Sequence, residues 1–434
     1  MKVVVVGGGC FGSSTAVELA SRGHSVTLVD RVLDEQQTVN ANPIAATFDD
    51  NKIVRLSYAS DALYTNLSLA CMYDQAACGA VPIWSSWPVF RRAGLVVLED
   101  ESLDGSSATP TFGAESFKCL TQLQLPAVRP IPSDQLAAFD TATWSDGFLE
   151  PDGGWAHCKH AVEDMLKKAV SLGVVIVNEH ADELVALGGR VTQVRTDAGR
   201  VLDGFDHVVV AAGSRTPRLL PHLAAFFTAR AMPVVHFKPR AQDEELLRNM
   251  PVWTVGIRQT GYYGFPLHPL SGFCKVGWHG LGWDFASTQV DYDTIAALHA
   301  IVKDEVEARF RDFVRTAVPA LAEAVQVKSR LCMYCDSRDT DFVIDRDPAH
   351  ANVTLASGGS GHAFKFMPVA GALTANVVDG STPHAKLADA QRRFARLAER
   401  MQLHVDTLDS CRTSLTASAN RAAQVAEAIR RSKQ

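Results

Sequence analysis

The opening 31 residues carry the sharpest pattern of apolar and polar positions. Lys2–Val6 is a β-branched run suited to a parallel strand buried on both faces. Residues 13–22 then put Ala16, Leu19 and Ala20 on one helical face, Gly23 closes the helix, and Ser25–Val29 makes a second strand. The alternation of strand and helix returns later. An amphipathic helix is predicted over 157–172, with strands over 174–177, 184–186, 191–196 and 207–210. Further helices are predicted over 64–79, 292–316 and 369–378, and further strands over 93–99, 342–344 and 352–355. Residues 32–50 and 104–113 read as loops, 148–156 as a turn, and 385–433 as a mostly helical, charged tail. Residues 272–279 alternate strictly. That puts Lys275, Gly277 and His279 on one side of a strand and Cys274, Val276 and Trp278 on the other.

Between the first two strands, Gly7, Gly9 and Gly12 fit G-x-G-x-x-G, with Gly8 as an extra glycine. Such a turn lets the backbone approach a pyrophosphate, whose charge the helix N-terminus favours. Asp30, 18 residues after Gly12, ends the second strand and is suited to accept the hydrogen bonds of a ribose diol. Strand, turn, helix, strand and acid in register predict a bound dinucleotide, without separating FAD from NAD. Small residues after the strand His207–Val210, ending in Gly213, bring a backbone close to the same ligand and mark the return of the nucleotide-binding unit after an insertion. A second insertion is expected over about 226–328. A second glycine loop, 357–361, runs into the predicted helix at 369–378 and offers another helix N-terminus to an anion. Lys52 and Arg55 are expected on one face of a helical turn, close enough to meet one anionic group, the alternative being a solvated face.

Length and composition narrow the class. At 434 residues two domains are expected. A composition of 47% hydrophobic and 21% charged residues is that of a globular protein. A net charge of −6 and a pI near 6.2 give no reason to expect nucleic acid or an anionic membrane. No apolar run has transmembrane length. Nine cysteines in so long a chain suggest a reducing compartment, and a cytoplasmic location is expected; the ending Ser432-Lys433-Gln434 does not match a peroxisomal S-K-L. No metal is expected, because His157, Cys158 and His160 lack matching partners. Cys332-x-x-Cys335 has the spacing of a redox pair or half a zinc site. The first would need its own helix start after a strand, the second another ligand pair.

Taken together, GGGCFG with Asp30-Arg31, DDNKIVRLSY at 49–58, YYGFP at 262–266, CKVGWH at 274–279, CMY at 332–334, DFVID at 341–345 and SGHAFKF at 360–366 resemble one family. It is the sarcosine oxidase-like amine oxidases of the D-amino-acid-oxidase group of FAD enzymes, and the resemblance covers roughly residues 1–380. DNKIVR is most similar to the fructosyl-amino-acid and saccharopine oxidase branch, CMY to monomeric sarcosine oxidase. The fructosyl branch carries a Trp-Arg-Trp segment in its C-terminal tail, whereas this chain has no tryptophan after Trp283.

The resemblance implies a mixed α/β and α+β fold: a discontinuous Rossmann-like FAD-binding domain (1–90, 150–225 and 329–434, with a helical tail) and a substrate domain with a mixed β-sheet (91–149 and 226–328). It implies FAD held by Gly7, Gly9, Cys10, Gly12, Asp30, Arg31, Lys52, Gly213, Gly359, Gly361 and Lys365, with a covalent bond through Cys332. Cys10 is read as a small packing residue rather than a catalyst, and Cys335 as a pocket or core residue. Lys275 matches the lysine that activates O2, Lys365 the lysine that binds the substrate carboxylate, and Lys52 a basic position near the flavin. Tyr263 and His279 match residues lining the substrate pocket. Where sarcosine oxidase has a histidine a few residues before its basic position, Phe48 and Asp49 stand here.

The implied activity is oxidation of the secondary amine of an N-methyl or N-alkyl amino acid to an imine, with O2 reduced to H2O2, by a monomer. The alternatives are a fructosyl-amino-acid or saccharopine oxidase, a flavin monooxygenase, and a flavin-binding protein without turnover. A cation about 4 Å from developing superoxide, at an effective dielectric of about 20, contributes roughly 4 kcal/mol, or about three powers of ten in rate. Lys275 can do this only if it stays protonated against desolvation.

Overall fold

A computed structural model describes residues 1–31, 44–100, 103, 110–280, 282–285, 290–404 and 406–407. Most of the expected 32–50 and 104–113 loops and the end of the tail lie outside these residues. The fold rests on two large sheets. The first is six-stranded, in the order Val343–Arg346, Val353–Ser357, His207–Val210, Lys2–Val6, Ser25–Val29, Val175–Val177. All of its strands pair in parallel except the edge strand Val343–Arg346. Val3–Val6 are buried, as a central parallel strand flanked on both sides requires. Helix Cys10–Ser21 follows that strand and packs against helices Cys158–Ser171 and Met367–Asp379.

The turn between strand and helix works only with glycine. Gly7 has φ +104°, and a Cβ there would lie 2.3 Å from the Ala211 carbonyl oxygen. A Cβ on Gly12 would sit 1.8 Å from the Gly7 carbonyl oxygen. The helix begins at Cys10, earlier than the apolar stripe predicts, with Gly9 as an extended N-cap and no side-chain cap.

The second sheet has eight strands. Seven run in the order Trp283–Phe285, Phe227–Lys238, Cys274–Trp278, Tyr262–Gly264, Val252–Val255, Leu95–Glu99, Asp146–Glu150. The eighth, Gln326–Ser337, pairs antiparallel with Phe227–Lys238 over twelve residue pairs. The strand carrying Cys332 therefore belongs to this sheet, although the expected division places residues from 329 onward with the nucleotide-binding unit; its ladder partner lies about a hundred residues upstream, which no local pattern reveals. One face of the sheet is covered by helix Tyr292–Ala317, whose Val306, Phe310 and Val314 pack with Val235, Phe237, Cys274 and Val276. Lys275, one residue out of phase, points the other way, as the alternation predicts.

Three local expectations change. Asn51–Val54 is a strand, not a helical turn: it pairs antiparallel with Gly154–His157. Arg55 follows the end of that strand, so helical spacing does not join it to Lys52. The expected turn at 148–156 is two strand ends, Asp146–Glu150 and Gly154–His157, around residues 151–153. The expected helix at 64–79 is two helices, Ala62–Tyr73 and Gln75–Cys78, divided at Asp74, whose carboxylate caps the Ala77 N–H. In the tail, helix Ala388–Phe394 folds back so that Arg393 bridges Asp61 (2.8 Å) and Asp341 (2.7 Å). No helix of the described residues is long and apolar enough to cross a membrane.

Candidate active site

A partly open cavity begins at the glycine turn. Gly7, Gly8, Gly9, Cys10 and Phe11 line it, so the uncapped first turn of helix Cys10–Ser21, with N–H groups that have no intrahelical partner, faces the space. Asp30, Arg31, His180 and Gly213 line it as well, with Lys52, Met333, Tyr334, Cys335, Gly359 and Gly361. Asp30 Oδ2 accepts the Gly8 N–H at 2.7 Å, and Oδ1 lies 3.3 Å from His180 Nδ1. Burial raises the Asp30 pKa, but the His180 and Gly8 hydrogen bonds hold it below the usual carboxylate value. Arg31 pairs with Asp197 at 2.6 Å. An anion-favouring glycine turn with a charged acid at the next strand end fits a dinucleotide, and FAD, which the resemblance implies, is one.

Of the residues expected to touch the cofactor, Gly12, Cys332 and Lys365 do not line this cavity. Gly12 is packed under Gly7. Cys10 does line it, and burial pushes its thiol up to about 11, in keeping with a packing role. Cys332 is fully buried between Met232 and Tyr334, with Ala46 and Trp278 packed alongside. Lys275, Tyr263 and His279 also lie off the cavity, in two clusters beside it.

The first cluster is built on Asp49, a residue the sequence reading noted only for replacing a histidine. Its side chain has no exposure. Oδ2 lies 2.8 Å from Lys275 Nζ, 3.0 Å from Lys52 Nζ and 3.5 Å from Arg330 Nη2. His236 Nε2 is 4.0 Å from Oδ1. Burial raises the Asp49 pKa, yet Lys275, Lys52 and Arg330 together hold it well below the carboxylate range. Lys275 also donates to the Asn51 carbonyl at 2.5 Å and sits 4.3 Å from the centre of the Phe265 ring. Burial outweighs Asp49 at this lysine and lowers its pKa to about 8. At Lys52 the balance runs the other way: burial opposes the charge, but Asp49, with Cys332 and Tyr263 nearby, raises its pKa.

The second cluster surrounds Lys365. Its ammonium is buried and donates to the Tyr58 hydroxyl at 2.9 Å and the His362 carbonyl at 2.8 Å. Arg55 lies over the Tyr58 ring at 4.9 Å, and its Nη1 is buried without a hydrogen-bond partner. Neither cation makes an ion pair with a carboxylate among the described residues; the buried Glu150, which accepts hydrogen bonds from Leu56 and Ser57, acts on both through its charge alone. Burial, and then Arg55, drive the Lys365 pKa well below its ordinary value. His279 lies close by: its ring is 6.2 Å from Tyr334, and a Cβ on Gly361 would come within 3.1 Å of it and 2.4 Å of Tyr334. Burial, Arg55 and Lys365 lower His279 to about 4, so it is neutral. Tyr263 and Tyr334 hydrogen-bond to each other, and burial pushes both phenols up. The folded chain thus brings Arg55 and Lys365 together around Tyr58, a meeting that strand spacing alone does not convey.

This arrangement has recognisable relatives. A family model described as DAO, FAD dependent oxidoreductase, matches residues 2–377, and the chain belongs to that family. It is 26% identical over 415 residues to an L-saccharopine oxidase of Schizosaccharomyces pombe, covering 87% of this chain and 90% of that protein. It is 25% identical over 393 residues to a monomeric sarcosine oxidase of Bacillus sp. (strain NS-129), covering 88% and 94%. Among solved structures, a modified fructosyl peptide oxidase from Aspergillus nidulans shares the fold with a TM-score of 0.71 at 20% identity, over 91% of this chain and 93% of that one.

The Asp49 cluster generates a direct expectation. Three buried cations share this carboxylate, so Asp49→Asn should destabilise the protein by about 3–5 kcal/mol, read as a lower urea midpoint of tryptophan fluorescence. Asp49→Glu should recover part of the loss. An unchanged midpoint in Asp49→Asn would show that the cations do not depend on this counter-ion.

Proposed function

We propose that this chain is a flavin amine oxidase that converts the secondary amine of an N-substituted, carboxylate-bearing amino acid to an imine, passing the electrons to O2 to give H2O2. The observation that carries this reading is the Lys365–Arg55 pair, a buried and a half-buried cation with no ion pair to a carboxylate among the described residues, beside the cavity that begins at the glycine turn. Desolvating unpaired cations is costly, and an incoming anion offsets that cost. The names of the relatives, all oxidases of N-substituted amino acids, support the same chemistry and weigh against a monooxygenase. Saccharopine and fructosyl substrates stay within the reading as larger substituents on the same amine.

FAD supplies the acceptor for the hydride equivalent of the C–H bond beside nitrogen. The protein's part is orientation and charge. Lys365 and Arg55 hold the substrate carboxylate, Tyr58 fixes the Lys365 ammonium, and neutral His279 with Tyr263 and Tyr334 walls the amine away from water. Lys275, anchored by Asp49 and Asn51, supplies a fixed positive charge for the reduction of O2. With a pKa of about 8 this lysine loses its proton in mildly alkaline solution.

Covalent attachment of the flavin through Cys332 is part of the proposal. Lys52 lies within electrostatic reach of Cys332, whereas burial pushes the Cys335 thiol up to about 11. Cys332 would hold the flavin through a thioether, and the attachment would release two hydrogens and two electrons for which O2 would be the acceptor.

Three outcomes test the proposal. Reoxidation by O2, followed by stopped flow, should slow as pH rises through about 8, since the protonated lysine is the active form; Lys275→Met should be at least about tenfold slower and lack this step. The same pH step in Lys275→Met would assign it to another group. Lys365→Met should lose about 2–5 kcal/mol in kcat/KM on an N-methyl amino acid and hardly change turnover of the decarboxylated amine. Equal losses on both substrates would make Lys365 a structural residue. Flavin should stay with acid-precipitated wild type and Cys335→Ala and leave Cys332→Ala; release from Cys335→Ala alone would reverse the assignment.

A further inference from the structure

Three side chains with no part in the flavin site converge beyond the opposite end of the strand Val353–Ser357. Asp347 directly follows the strand Val343–Arg346, and His350 lies in the loop that leads into Val353–Ser357. His222 arrives from the short turn Pro221–Leu223. His222 Nε2 lies 2.6 Å from Asp347 Oδ1, and His350 Nδ1 lies 2.5 Å from Asp347 Oδ2. The three ligand atoms all fall within 4.8 Å of one another. We infer that His222, Asp347 and His350 form a binding site for a borderline divalent transition ion of the Zn2+ class, separate from the flavin site.

The donor set is the first support. Two imidazole nitrogens and a carboxylate are the ligands such an ion takes, and they leave a fourth position for water. Ring geometry is an independent second support. A tetrahedral ion with bonds of about 2.1 Å to two imidazoles would place the ring centres about 5.2 Å apart. The His222 and His350 ring centres are 5.5 Å apart, with planes inclined at 62°. The rings therefore already stand close to where one ion would hold them. Two neutral imidazoles bonded only to the carboxylate is the competing arrangement; each would use as a donor the nitrogen that ligation uses as a lone pair.

The site is braced and reachable. The Asp347 side chain has no exposure, while that of His222 is 31% exposed and leaves an approach from solvent. The loop is pinned by Asp347 N–H to the Val353 carbonyl and Val353 N–H to the His350 carbonyl, each 3.0 Å, and by Ala351 N–H to the Gly189 carbonyl at 2.9 Å. Strand Val353–Ser357 separates the loop from Ser357, which lines the flavin cavity. At about 3.3 Å per residue that is roughly 13 Å. A bound ion would cross-link the turn at 221–223 to the loop at 347–352 without entering the reaction.

The test uses the chelator-treated flavoprotein, titrated with Zn2+ in a calorimeter and with Co2+ in the visible spectrum. The wild type should bind one ion per chain, and bound Co2+ should show the intense d–d bands of a four-coordinate N/O site. Asp347→Asn, His350→Ala and His222→Gln should each weaken Zn2+ binding at least about tenfold while keeping the flavin content of wild type. Zn2+ should also raise the unfolding temperature of the wild type and not that of His350→Ala. Binding of no ion, a weak six-coordinate Co2+ spectrum, or affinity unchanged in all three variants would overturn the proposal and leave a hydrogen-bonded cluster only. If a buried-site variant fails to fold, the wild-type Co2+ spectrum and the half-exposed His222→Gln variant decide.

Discussion

One buried carboxylate joins the parts of this molecule that matter for chemistry. Asp49 sits just before the strand Asn51–Val54 and reaches Lys275 on one strand of the large sheet and Arg330 on another. His236, on the strand between them, stands 4.0 Å away. Unit charges about 3 Å apart interact by roughly 5–6 kcal/mol at an effective dielectric of about 20. No single pair repays the desolvation of both ions with certainty of sign. Three cations around one acid keep the acid ionised and fix its position, so the large sheet is registered against the segment that carries Lys52 into the flavin cavity.

The two cationic clusters differ in one respect, and the difference fits the roles proposed for them. Around Asp49 the positive charge has a protein counter-ion, so the geometry is set before any ligand arrives. Around Lys365 and Arg55 no ion pair forms among the described residues: Lys365 meets hydroxyl and carbonyl oxygens, and the buried Glu150 acts on both cations through its charge alone. A site of the first kind offers a fixed field, which suits a reaction that develops negative charge. A site of the second kind suits the proposed binding of a substrate carboxylate. The aromatic group of Tyr58, Tyr64, Phe342 and Phe366 packs beneath the second cluster. Arg393 ties that group to the tail through Asp61 and Asp341, which gives the C-terminal helix a structural purpose.

The nucleotide-binding half was legible because its signals are local. Gly7 and Gly12 are demanded by backbone approaches within one turn, Lys2–Val6 by burial on both faces, and Asp30 by its place at the end of the next strand. The alternation around Lys275 was legible for the same reason: a strand's period of two needs no partner to be read. Residues 52 and 55 misled because a four-residue strand has too few positions to declare its period. Its pairing with Gly154–His157, about a hundred residues away, settles the matter.

By itself, then, the sequence determined the dinucleotide turn, the parallel strands around it and the residue types needed for an oxidase of N-substituted amino acids. Tertiary structure decided which charges meet. Asp49 lies in a stretch with no periodic pattern, Arg55 reaches Lys365 only through the packing of Tyr58 between them, and His222 stands 125 residues from Asp347. Backbone preference acts over a few residues and leaves a mark in the local sequence. Ion pairing and desolvation act across space between segments that folding brings together, so their partners become visible only once the chain has closed.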